Sequence, residues 1–65
     1  MPGLSRKPGP GESTARIVAP SQSRAESDAR YYYGADEVLE VVRVGTGRNG
    51  QGYVWLVLFT TVLGR

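Results

Sequence analysis

The sequence predicts a small mainly-β fold: a β-hairpin, with room for a short N-terminal strand or helix beside it, joined to a flexible N-terminal arm. An α+β arrangement is the second choice. Three observations carry this. Residues 37–44 read EVLEVVRV and residues 53–63 read YVWLVLFTTVL, two runs rich in β-branched and aromatic side chains. The eight residues between them, GTGRNGQG, contain Asn49-Gly50, and an Asn-Gly pair between two such runs is the strongest short-range hairpin signal. All four prolines (Pro2, Pro8, Pro10 and Pro20) lie before residue 31, among few large apolar residues, a composition that buries too little surface to offset the entropy of ordering.

Residues 1–22 form the expected basic Pro/Gly/Ser arm, mobile and dispensable over residues 1–20. Within it the run Thr14-Ala15-Arg16-Ile17-Val18 could add a strand to a neighbouring sheet. Residues 23–36 carry a helix or turn signature leading into strand. Ser23 and Glu26 fit a capping box, Glu26 and Arg30 are four apart in the favourable order, and Gly34 suits a left-handed stop. The run Tyr31-Tyr32-Tyr33 pulls the other way, toward strand.

Residues 37–65 are the expected apolar hairpin. With Asn49 and Gly50 as a two-residue turn, Val44 faces Trp55, Val42 faces Val57, Glu40 faces Phe59 and Val38 faces Thr61. Both faces of that ribbon are largely apolar, and two strands cannot cover both. The expectation is therefore a homo-oligomer or a bound subunit, with Trp55, Val57 and Phe59 at the contact and Leu56 and Leu58 beside them. Without a partner, the core has to close inside one chain, with residues 14–33 packed across the hairpin.

Composition excludes most chemistry. A chain of 65 residues supports one domain at most, and it has neither Cys nor His, so the usual zinc ligands and thiolate or imidazole catalysts are missing. No metal site or cofactor is expected. The six carboxylates are Glu12, Glu26, Asp28, Asp36, Glu37 and Glu40. None is spaced as a calcium loop, and strand alternation sets Glu37 and Glu40 on opposite faces, where they cannot act as an acid/base pair. The prediction is a non-enzymatic chain.

Gly45, Gly47, Gly50 and Gly52 include a GxGxxG spacing. The dinucleotide-binding form of that loop opens a helix, whereas here it leads into Tyr53-Val54-Trp55-Leu56-Val57, a strand pattern. A hairpin turn is the expected use, with an anion contact at Arg48 and Gly47 as the alternative.

The net charge is +2, and all of the excess sits in residues 1–30, too thin a density to mark a nucleic-acid surface by itself. Function therefore reads first as a structural or interaction subunit. The alternative is a small nucleic-acid- or phosphate-associated binder using the basic arm and Arg48, with Tyr31, Tyr32, Tyr33, Tyr53, Trp55 and Phe59 as candidate stacking groups. The start lacks a secretory apolar region, which favours an intracellular chain. Eleven apolar residues as a helix span about 16 Å, roughly half a hydrocarbon core, so membrane spanning is not expected.

Overall fold

The computed structural model describes residues 3–5, 7–50 and 52–61. Along the chain come β1 (Glu12–Ala19), α1 (Gln22–Tyr33), β2 (Ala35–Thr46), a 3-10 turn (Arg48–Gly50) and β3 (Tyr53–Thr61). The strands form one antiparallel sheet in the order β1-β3-β2, so the last strand in sequence is the middle one in space. This is a small mainly-β domain. Val62 and Leu63, counted in the expected second strand, lie outside the described residues.

The expected arm over residues 1–22 is corrected by β1, which pairs with β3 through eight consecutive residues from Glu12↔Thr60 to Ala19↔Tyr53. The reason lies in the small residues. Ala15, Ile17 and Ala19 alternate along the strand and are all buried, and period-two burial holds a strand even when most of the buried groups are alanine. The Thr14–Val18 run is thus a strand of this chain's own sheet.

The helix starts earlier than the Ser23 capping box suggests and ends at Gly34, the stop the sequence offers. Ser21, rather than Ser23, is the N-cap, its hydroxyl accepting from the Arg24 amide at 3.3 Å. Glu26 accepts from Gln22 Nε2 at 3.2 Å, and Arg24 pairs with Asp28 at the same distance one turn on. The three tyrosines complete the last turn as helix, not strand. Gly34 then stops it in the left-handed conformation (φ 68°), its amide donating to the Ala29 carbonyl. Ala25 and Ala29, one turn apart, are fully buried, and their lack of bulk brings the helix close onto the sheet.

The hairpin holds, but its register drifts. Thr46↔Tyr53 and Gly45↔Val54 pair as a turn centred on Asn49-Gly50 requires. Beyond them, single-residue bulges at Val44, Leu39 and Asp36 each shift β2 by one, so Arg43 faces Trp55, Val41 faces Val57 and Val38 faces Phe59. β2 thus spends twelve residues against nine in β3. The bulge at Leu39 also brings Glu37 and Glu40, opposite Thr60 and Leu58, onto one face, correcting the alternation expected for them. The turn is longer than two residues: the Gly47 amide donates to the Gly52 carbonyl at 2.8 Å and closes the loop around the 3-10 turn.

Gly50 keeps φ at 72°, with open space where a Cβ would stand. Gly50→Val therefore meets backbone strain without a clash, about 1–2 kcal/mol. A fall in melting temperature of roughly 5–10 °C is expected, with Thr46–Tyr53 cross-strand contacts intact by NMR. An unchanged midpoint would contradict the left-handed turn.

One face of the sheet carries the core. Ala15, Ile17 and Ala19, Val57 and Phe59, and the helical Ala25 and Ala29 form a single buried cluster, flanked by Ala35, Val38, Val41 and Trp55. The Trp55 indole donates to the Ala19 carbonyl at 2.9 Å and seals one end of it. The core closes within one chain, by the packing of the N-terminal strand and helix across the hairpin.

Candidate interaction surface

The helix covers only one face of the sheet. Register assigns Arg16, Leu56 and Val42 to one cross-strand row of the other face, and Val18, Val54 and Gly45 to the next. Val18 is 50% exposed, while Val42, Val54 and Leu56 are half-buried with no helix above them. Because Gly45 brings no side chain, the flank of Val54 stays open on the β2 side. Arg16 borders the patch and is exposed.

Leu58, on the same face one row further, is fully buried. Its cross-strand neighbours are Thr14 and Glu40. Glu40 holds Ser5 with both carboxylate oxygens: the Ser5 amide donates at 3.0 Å and its hydroxyl at 2.8 Å. The N-terminal segment turns sharply at Gly9–Glu12, where the Glu12 amide donates to the Gly9 carbonyl at 3.1 Å and the Gly9 amide to the Glu12 carboxylate at 2.9 Å. Ser5 is held at Glu40 on β2, in the same cross-strand row as the buried Leu58 and one row away from Leu56. The charged pair of strand residues thus includes one carboxylate already committed to a tether.

At the loop end of the helix-bearing face, the Arg43 guanidinium lies 4.8 Å above the Tyr53 ring, and Tyr53 meets Trp55 edge to face at 6.1 Å. Arg43, Val44, Gly45, Thr46 and Tyr53 line a shallow depression of about 370 Å³ there. The glycine array beside it is explained by close packing. A Cβ on Gly47 would stand 3.0 Å from Val18 Cγ1, and one on Gly52 only 2.6 Å from the Ala19 carbonyl oxygen. Since the Gly47 amide closes the loop, it is not free to greet an anion; Arg48 is exposed at the turn.

The residues expected at a contact surface are split by the fold. Trp55, Val57 and Phe59 face the helix, and Val57 and Phe59 are sealed beneath it; Leu56 and Leu58 face away, and Leu58 is fully buried. Of the five, Leu56 alone belongs to the bare rows, while Trp55 reaches the surface only at the rim of the core. Asn49 and Gly50 lie in the 3-10 turn. The aromatics proposed for base stacking do not gather either. Tyr53, Trp55 and Phe59 are on the helix side, and Tyr31 and Tyr32 stand at the end of α1, 80% and 71% exposed, in edge contact at 4.8 Å.

Sequence reasoning missed Val18, Val42 and Val54. The signal for Val18 was its place in the Thr14–Val18 run; Val42 and Val54 depend on a register that bulges reset. Among the described residues no group of three or more carboxylates is placed to hold a metal ion, and no helix is long and apolar enough to cross a membrane. Comparison with protein-family models, with curated proteins and with solved structures found no match to this chain.

Proposed function

We propose that this chain is a non-enzymatic interaction subunit, whose bare sheet face of Val18, Val42, Val54 and Leu56 docks on a protein partner. The observation that supports the reading is the one-sided covering of the sheet: a helix on one face, and contiguous aliphatic side chains in two rows on the other. Aliphatic side chains on a pleated surface offer dispersion and apolar burial, and no directional chemistry toward a substrate. The alternative, a nucleic-acid or phosphate binder, draws on Arg48 and the basic N-terminal residues, and its binding falls steeply as salt rises.

A photo-crosslinking side chain at position 54, in cells producing the protein, is expected to give a polypeptide adduct that Leu56→Lys removes and high salt does not. The same group at Ser27, exposed on the helix, supplies the control. No protein adduct at position 54 above the Ser27 level would overturn the proposal, and a salt-sensitive nucleic-acid adduct would favour the alternative.

A further inference from the structure

The two edges of the sheet are unlike. β2 is broken by three bulges, a device that blunts an edge against pairing, whereas β1 runs eight residues in unbroken register with β3 and, among the described residues, has no strand on its other side. Ser5 is held at Glu40 on β2, the opposite edge of the sheet from β1.

The sequence of the edge, ESTARIVA, is charge-complementary to itself. Odd residues of β1 face the helix and even residues face away. Two copies of β1 related by a two-fold axis keep both helices on the same side of a joined sheet only when residues of like parity oppose one another. Three registers near the charged residues satisfy this. Centred on Arg16, the axis sets Arg16 against its own copy. Centred on Ala15, it sets Glu12 against valine. Centred on Thr14, it sets Glu12 of each chain directly opposite Arg16 of the other, twice over. Directly opposed residues of opposite charge stabilise an antiparallel pair, and like charges there oppose it. Glu12 is already oriented at the mouth of the strand by the Gly9 amide.

We infer that β1 pairs antiparallel with β1 of a second copy about Thr14, giving a continuous six-stranded sheet held in register by two Glu12–Arg16 pairs. The inference rests on the reading of the chain as an interaction subunit, and it deepens that reading: the dimer doubles the bare aliphatic face without covering it.

Molar mass of the full chain by light scattering, over a concentration series, tests it. Wild type is expected to form a dimer that weakens as salt rises. Arg16→Glu and Glu12→Arg each place like charges opposite one another and should raise the dissociation constant about tenfold or more. An equimolar mixture of these two variants restores both opposite-charge pairs and should yield a one-to-one heterodimer, and the doubly exchanged chain should dimerise with itself. Arg16→Lys, which preserves the charge, should keep the dimer. Trp55 fluorescence reports that each variant is folded. A wild-type monomer throughout, a dimer indifferent to Arg16→Glu, or a mixture that stays monomeric would overturn the inference. Position-54 crosslinking surviving such a result would leave the docking face standing, whereas a charge-dependent dimer without those crosslinks would leave the edge alone.

Discussion

Phe59→Lys is expected to abolish the folded state. Phe59 is 3% exposed in the cluster beneath α1, 6.3 Å from the Tyr33 ring and opposite Val38 in the ladder. Losing the ring alone costs about 3–5 kcal/mol. Desolvating an unpaired ammonium adds several more, and a domain of this size has little more than that in total. Far-UV circular dichroism should show loss of sheet and helix at every concentration, with no cooperative melt. The distinction from a surface role is sharp, because a contact residue would leave a folded monomer behind. A cooperative transition retained in Phe59→Lys would refute the placement of Phe59 in the core.

Gly52→Ala is expected to have the next largest effect, although it adds one methyl group. Gly52 has φ 116°, and a Cβ there would stand 2.6 Å from the Ala19 carbonyl oxygen, 2.8 Å from its carbon and 2.9 Å from Pro20 Cα. All three are backbone atoms and none can swing aside. Strain and overlap together should cost roughly 2–5 kcal/mol. The same Ala19 carbonyl accepts the Trp55 indole, so displacing it should shift the tryptophan emission to the red. Gly45→Ala, whose nearest neighbour would be Val54 Cβ at 3.9 Å, should leave the emission nearly unchanged. Equal behaviour of the two variants would contradict the close approach of the loop to the β1–α1 junction.

What the amino-acid sequence discloses of this fold stops where local signals stop. Asn49-Gly50 places the hairpin because turn conformation is a local property, and the first two cross-strand pairs follow from it. The later pairs do not. Bulges at Val44, Leu39 and Asp36 reconcile β2 with a twisted sheet under a helix, and nothing in VLEVVRV marks which residue is skipped. β1 was legible only as the Thr14–Val18 run, a strand without an assigned sheet, for a different reason. Alanines 15 and 19 look too small to anchor a strand, yet small residues are what a closely packed helix demands beneath it. Tyr31–Tyr33 favour strand by propensity, but Gly34 and the buried Ala25–Ala29 stripe fix the helix through them. The surface inherits these limits. Leu56 is legible as an outward residue of an apolar run. Val42 can be assigned a face only after the bulge at Val44 is known, and Val18 only after β1 is recognised.

The position of β3 has a consequence for how the protein comes into being. Among the described residues every ladder of the sheet runs through residues 53–61, and β1 and β2 do not pair with each other. Synthesis makes β1 and β2 before β3, and neither has its partner in the sheet until residues 53–61 are available. Folding is then a single event after the last strand is released, slowed by the closure of long loops. A chain cut before Tyr53 would lack the strand with which both β1 and β2 pair, leaving them unmatched, the form most exposed to proteases and to aggregation.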